Sequence, residues 1–223
     1  MKKTLRLILG DQLNSNHSWY KSVDDSVTYL MMEIRTETDY VQHHIQKVVG
    51  IFAAMRNFAN QLKSNNHKLI YLHLNDDNNL QSIHDNIQNL ISQFQFTDFE
   101  YQLPDEYRVD QDIRQLCNTI SISSKSVDSE HFFTSRNELG DFFQGKKTFL
   151  MESFYRTMRK KHNVLMEGDK PLNGKWNFDS DNRKKLPKEH KPTSPLVFEN
   201  DVSDILVEIN KSDIKFRSVG IWY

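Results

Sequence analysis

Five short apolar segments, set off by turn-rich clusters and stretches of helical periodicity, constrain this chain more than any other feature it has. They fall at residues 4–9, 27–32, 68–74, 96–101 and 118–123. Gly10-Asp11-Gln12 ends the first abruptly, as expected where a buried strand meets a turn. Between the second and third, residues 39–63 carry Val41, His44, Val48, Ile51, Phe52, Met55, Phe58, Ala59 and Leu62 at spacings of three and four, with Gln42, Gln46, Arg56 and Asn60 on the other side. That pattern predicts one amphipathic helix with Thr38 or Asp39 at its N-cap. Two more helices are expected where Leu80, Ile83, Ile87, Leu90, Ile91 and Phe94 share a face, and where Val109, Ile113 and Leu116 do. Strands alternating with helices pair in parallel, because each crossover returns the chain to the same end of the sheet. The expected class is α/β: an open, mainly five-stranded parallel sheet with helices on both faces.

Of the 223 residues, 37% are hydrophobic and 11% aromatic, enough for a folded core despite a mean hydropathy of −0.69. No apolar run approaches the ~18 residues of a membrane span. Met-Lys-Lys-Thr leads directly into the first strand rather than into a signal peptide, so a cytoplasmic protein with no membrane partner is expected. The single cysteine, Cys117, excludes an internal disulfide and any all-cysteine zinc or iron–sulfur site built from this chain alone.

The net charge of −1 is a cancellation. Residues 145–195 hold 13 Lys or Arg against 6 Asp or Glu, an excess of +7, and the remainder carries −8. The shift divides the chain into an acidic α/β globule at 1–144 and a basic, largely irregular extension at 145–223. Within the extension, residues 147–161 read as a helix with Arg156, Arg159, Lys160 and Lys161 towards its end, where cations complement the helix dipole. Residues 166–195 read as an irregular linker with Trp176 and Phe178 as aromatic anchors, and 202–209 as one more short helix. The apolar end Val219-Gly220-Ile221-Trp222-Tyr223 reads as a cut from a longer chain.

In an open parallel sheet, ligands settle outside the carboxyl ends of the strands, at the point where strand order reverses. Gly10, Asp11 and Gln12 after the first strand, and residues 33–40 after the second, are therefore the first candidates. Glycine lets a ligand approach the backbone, Asp11 and Glu37 can accept hydrogen bonds from hydroxyls or ring nitrogens, and Tyr40, His43 and His44 follow. These residues suit a polyol or heterocycle, and they equally suit ordinary turns and helix caps. No glycine-rich phosphate loop follows the first strand. On a helix His43 and His44 would point ~100° apart, which argues against a metal pair and assigns His44 to the core. Cys117 reads as a small buried hydrophobe. Lysines and arginines interleaved with Trp176 and Phe178 fit either phosphate contact with base stacking or a solvated linker.

Several stretches together resemble one family. They are Leu7-Ile8-Leu9-Gly10-Asp11-Gln12-Leu13, Glu37-Thr38-Asp39-Tyr40-Val41-Gln42-His43-His44, Ile51-Phe52-Ala53-Ala54-Met55-Arg56, Met151-Glu152-Ser153-Phe154-Tyr155-Arg156-Thr157-Met158-Arg159-Lys160 and Gly174-Lys175-Trp176-Asn177-Phe178-Asp179. In order and in combination they resemble the deoxyribodipyrimidine photolyase-related proteins, the bacterial cryptochrome/photolyase branch that carries an iron–sulfur cluster. The resemblance implies a Rossmann-like antenna domain joined by an interdomain segment to a helical domain that holds FAD, the cluster and damaged DNA. It implies that Gly10, Asp11, Gln12, Glu37, Tyr40, His43, Ile51 and Glu106 line a pocket for 6,7-dimethyl-8-ribityllumazine. It also makes Arg159, Lys160, Lys161, Arg183, Lys184 and Lys185 candidate DNA-phosphate contacts.

The partners so implied are the chain's own helical domain, absent here, and UV-damaged DNA, with (6-4) lesions the expected substrate. The cysteines of the cluster and the FAD-contacting residues have no counterpart before Tyr223, so this fragment alone is expected to be inactive in repair, with at most antenna binding. Two other readings stand beside it: a stand-alone α/β module binding a nucleotide or other small ligand through a pocket and a basic arm, and a blue-light photoreceptor rather than a repair enzyme.

Overall fold

The structure, a computed structural model, describes residues 2–180 and 182–217. Its sheet comprises β1 (Thr4–Leu7), β2 (Val27–Met32), β3 (Leu69–Leu72), β4 (Asp98–Gln102) and β5 (Ser123–Val127), and a two-stranded ribbon is formed by β6 (Met166–Glu167) and β7 (Lys170–Pro171). The helices are α1 (Arg35–Asp39), α2 (Ile45–Ser64), α3 (Ile83–Phe94), α4 (Tyr107–Thr119), α5 (Glu138–Phe143), α6 (Met151–His162) and α7 (Ser203–Lys211). None of the described helices is long and apolar enough to cross a membrane.

All five strands of the large sheet run parallel in the order β3-β2-β1-β4-β5. The chain winds outward from β1 to β3, crosses back to β4 beside β1 and continues to β5, so the fold is a Rossmann-like α/β sheet whose order reverses between β1 and β4. Alternation along β2 sets the two layers. Val27, Tyr29 and Met31 join α2 and α7 on one face, while Leu30 and Met32 join α3 and α4 on the other. Phe99, Leu5, Ile87 and Ile113 are fully buried in the second layer.

The structure moves several sequence-based boundaries. The helix expected over residues 39–63 is two helices: α1 ends at Asp39, the chain leaves helical geometry through residues 40–44, and α2 starts at Ile45. His44 is not a core residue; it is the N-cap of α2, its Nδ1 accepting from the Gln46 N–H at 3.1 Å. The fifth strand lies later than expected because α4 runs on to Thr119, leaving Ile120 and Ile122 to pack on the core as a turn. β5 is a polar edge strand with Lys125 at its centre, a composition that discourages further pairing.

The described residues form two compact units, residues 2–131 with 200–217, and those of 132–199. Composition placed the boundary at 144/145; the packing places it earlier, and α7 belongs to the first unit. Ile205, Ile209 and Ile214 pack into the α2 layer, and Asn75 donates to the Glu208 carbonyl at 2.8 Å. The terminal apolar segment singled out in the sequence lies outside the described residues.

In the second unit Phe142 stands edge-on to both Phe143 and Phe154, and the three rings form one aromatic cluster. Arg159 is 4% exposed; its guanidinium donates to the carbonyls of Val164 at 3.0 Å, Trp176 at 3.2 Å and Leu165. One side chain thus ties α6 to the ribbon and to the loop carrying Trp176. Arg159→Ala takes a donor from three carbonyls, of which that of Leu165 keeps the Leu172 N–H, and a loss of about 2 kcal/mol in the opening energy of this unit is expected, read as faster tryptic cleavage between residues 163 and 180.

Candidate functional site

A cavity of about 280 Å3 opens at the carboxyl ends of β1, β2 and β4, beside the reversal of strand order. Each wall has a local cause. After β1 the turn closes through Gln12 N–H donating to the Leu9 carbonyl at 3.0 Å, which brings Gly10 against α2. A Cβ at Gly10 would lie 3.0 Å from Met55 Sδ and 3.1 Å from Ile51 Cγ2, so the close packing of turn on helix depends on the missing side chain. Val48, Ile51, Phe52 and Met55 of α2 form the apolar wall, with Leu7, Met32, Ile34 and Val109 around it.

Seven of the eight residues expected at an antenna pocket line this cavity: Gly10, Asp11, Glu37, Tyr40, His43, Ile51 and Glu106. Gln12 does not. It is 1% exposed, accepts from the Leu9 N–H at 3.1 Å and donates to the Gln102 carbonyl at 3.1 Å, so it ties the turn after β1 to the end of β4.

The break between α1 and α2 explains how both Tyr40 and His43 reach the cavity. His43 is 8% exposed, and its carbonyl accepts from the Arg217 N–H at 3.0 Å. Lys47 Nζ lies 3.2 Å from His43 Nδ1. The Tyr40 ring stands edge-on to His43 with centroids 5.0 Å apart.

Electrostatics concentrate at the mouth. Arg108 donates to both oxygens of Glu37, at 2.9 and 2.7 Å, and to both of Glu106, at 2.8 and 3.3 Å. Its guanidinium carbon lies 4.2 Å from the Tyr40 ring centroid, a cation–π contact. The Glu37 hydrogen bonds, with help from Glu106, hold the Arg108 guanidinium above its already high range, so it stays charged. Desolvation, reinforced by the charges of Asp105 and Glu106 and opposed by its own backbone hydrogen bond and by His131, holds the Asp11 carboxyl above the usual range. Hydroxyl donors and ring N–H groups suit such a mouth; a phosphate does not.

Sequence reasoning missed Arg108 and Lys47. Lys47 stands four residues after His43, a spacing that a helical reading could have used; nothing local connects Arg108 to Glu37, 71 positions earlier.

Of the candidate DNA contacts, Arg159 is committed to backbone carbonyls as described above. Lys161 pairs with Glu138, and Lys160 Nζ lies 5.6 Å from the Trp176 ring, which also has Arg156 and Arg159 at 5.4 and 5.3 Å. Arg183, Lys184 and Lys185 lie on an exposed stretch. Cys117 packs half-buried on the α3–α4 layer, and as the single cysteine it cannot hold an iron–sulfur cluster alone.

Residues 6–217 match the family model of the deoxyribodipyrimidine photolyase-related proteins. The chain is 31% identical over 206 residues to a (6-4) photolyase of Agrobacterium fabrum, covering 92% of this chain and 41% of that protein. It is 23% identical over 152 residues to an uncharacterized protein of Acanthamoeba polyphaga mimivirus, covering 66% of this chain and 75% of the viral one. The chain thus spans about two fifths of the photolyase it resembles. With nearly its whole length inside the family model, the chain belongs to the deoxyribodipyrimidine photolyase-related protein family.

Proposed function

We propose that this chain is the chromophore-binding α/β domain of a photolyase-like flavoprotein, and that its cavity takes 6,7-dimethyl-8-ribityllumazine. The observation that carries the reading is the cavity itself. It is apolar along α2 and polar at the mouth, and seven residues expected from the family resemblance line it. Such a site fits a flat ring joined to a hydroxylated chain. Ile51, Phe52 and Met55 would pack on the ring, and Asp11, Glu37 and Glu106 would accept from ring N–H or ribityl hydroxyl groups. When bound, the lumazine would supply absorption in the near-UV and blue and pass excitation to a flavin.

The parent activity we infer is light-driven repair of UV-damaged DNA, of the (6-4) type for which the Agrobacterium relative is named. FAD and an iron–sulfur cluster would reside in a helical partner domain. Arg183, Lys184 and Lys185, with Lys160, are the candidate phosphate contacts in the full protein.

Titration with 6,7-dimethyl-8-ribityllumazine, followed by its fluorescence, tests the reading. Saturable binding with a Kd of about 1 μM or below is expected, weakened about tenfold by Glu37→Ala, the scale of one hydrogen bond to a charged acceptor. Unchanged fluorescence together with saturable binding of an adenine nucleotide would turn the assignment to a general nucleotide-binding module.

A further inference from the structure

At the carboxyl ends of β4 and β5 polar side chains are buried on the α2 side of the sheet. Tyr101 packs in the α3–α4 layer, so Gln102, next along β4, points to the opposite face, where its register partner Val127 packs on the α2 layer. Gln102 is 0% exposed, and neither its amide oxygen nor its amide nitrogen has a hydrogen-bond partner among the described residues. The Tyr20 hydroxyl beside it is buried and equally without a partner among them. Burial holds that phenol above its ordinary range, so it keeps its proton. Ser129, two residues past Val127 and 0% exposed, adds a third hydrogen-bonding atom in the same condition.

Residues 17–20 cover this end of the sheet. His17 is 0% exposed; its Nδ1 accepts from the Trp19 N–H at 3.1 Å, and its Nε2 lies 2.9 Å from the carbonyl of Asp128, the neighbour of Ser129. The Tyr20 ring lies 6.0 Å from that of His17 and 5.3 Å from that of Tyr29, centroid to centroid. Arg6, whose charge reaches Tyr20, is already paired with Glu100 at 2.8 Å. The unpartnered groups are therefore neutral, enclosed and gathered where the cover meets β4 and β5.

We infer that Gln102, Tyr20 and Ser129 enclose an internal water site, in which water bonds the Gln102 amide and the Tyr20 hydroxyl together. A buried amide or hydroxyl left unpaired weakens folding about tenfold or more, and such groups in native proteins are satisfied by protein or by ordered water. The chemistry of the groups selects the guest. A halide would leave the amide oxygen unpaired and a cation would leave the amide nitrogen so, whereas water donates twice and accepts twice. The site fastens the cover to the sheet. Gln102 also accepts from the Gln12 amide through its backbone carbonyl, so one residue anchors both the hydrated node and the turn that carries Gly10 and Asp11. This inference is independent of any chromophore.

The sign of a stability change tests the site. Tyr20→Phe and Gln102→Met remove the polar atoms at nearly constant size. If those atoms bond water, each variant is expected to raise the unfolding equilibrium constant about tenfold in urea titrations; if they are dry and unpaired, each variant stabilises the protein instead. Because the two groups share a guest, the double variant should lose about 20-fold rather than the roughly 100-fold product of independent sites. In wild-type protein labelled with nitrogen-15, the side-chain NH2 protons of Gln102 should show direct cross-relaxation with water while exchanging slowly with solvent. Stabilisation by either variant, fully multiplicative losses, or a Gln102 amide with no water cross-peak would overturn the inference. The wild-type spectrum decides the question even if a variant fails to fold.

Discussion

Arg56→Ala is expected to lower folding stability by about 3–5 kcal/mol, the range for removing one partner of a buried ion pair. Glu33 is 0% exposed at the end of β2. Arg56 donates to both of its oxygens, at 2.7 and 2.8 Å, the Tyr71 hydroxyl donates at 2.7 Å and the Leu74 N–H at 3.1 Å. Burial first, then the charge of Glu33, holds the Tyr71 phenol well above its ordinary range, so it remains a donor. Burial lowers the Arg56 value, but its bonds to Glu33 and Glu208 outweigh this and raise it above its ordinary range.

Without the guanidinium, Glu33 keeps two donors and loses its counter-charge. Urea unfolding should show the loss as a shifted midpoint at constant slope, and thermal unfolding as a drop of roughly 10 °C for a unit of this size. Glu208→Ala removes only the outer, 31% exposed partner and should cost about 1 kcal/mol or less. Equal losses for the two variants would refute the view that the buried carboxylate sets the cost. Although Glu33, His73 and Glu208 bring ligand-type atoms within 4.8 Å of one another, Arg56 already hydrogen-bonds both carboxylates. The pair matters to the site because β2 passes directly from Glu33 into α1, which carries Glu37, and on to Tyr40.

Arg56 also marks where the sequence stops being legible. Hydrophobic periodicity foretold most of the buried face of α2, at Val48, Phe52, Met55, Phe58, Ala59 and Leu62, and the apolar run at 27–32 foretold a strand. The same periodicity put Arg56 on a solvated face, because pattern reading assigns any cation to water. Its side chain is 17% exposed, and its partners lie 23 and 152 positions away in sequence. The return of α7 to the first unit was invisible for the same reason. Charge composition follows the linker, whereas Ile205, Ile209 and Ile214 answer to an apolar face more than 140 residues earlier. At the pocket, Gly10, Glu37 and His43 were legible because a strand end followed by a turn is a local signal, strengthened by family resemblance. Gln12 shares that local signal, but its amide is consumed by a staple to Gln102 that only the β1–β4 pairing creates.

Gly10→Val is expected to weaken binding of 6,7-dimethyl-8-ribityllumazine by about 100-fold while costing about 1–3 kcal/mol of stability, the usual price of overpacking. Even a single Cβ at this position comes within 3.0 Å of Met55 Sδ and 3.1 Å of Ile51 Cγ2. Both contacts are with side chains rather than backbone, and methionine yields readily, so alanine should be accommodated with a shift of a few tenths of an ångström and about a tenfold loss of binding. Valine adds two methyl groups that Met55 cannot clear without moving into the cavity, where the ring of the ligand would lie.

The backbone of Gly10 does not adopt a left-handed conformation, so neither substitution strains it and the effect is one of space alone. Gly50 supplies the control. It is exposed on α2, and a Cβ there meets nothing within 4 Å. Gly50→Ala should therefore raise stability by about 0.4–1 kcal/mol through helix propensity and leave binding unchanged. If Gly10→Val binds the chromophore as tightly as wild type while folding normally, the ring does not sit against the β1 turn, and the cavity between β1 and α2 is not the chromophore site.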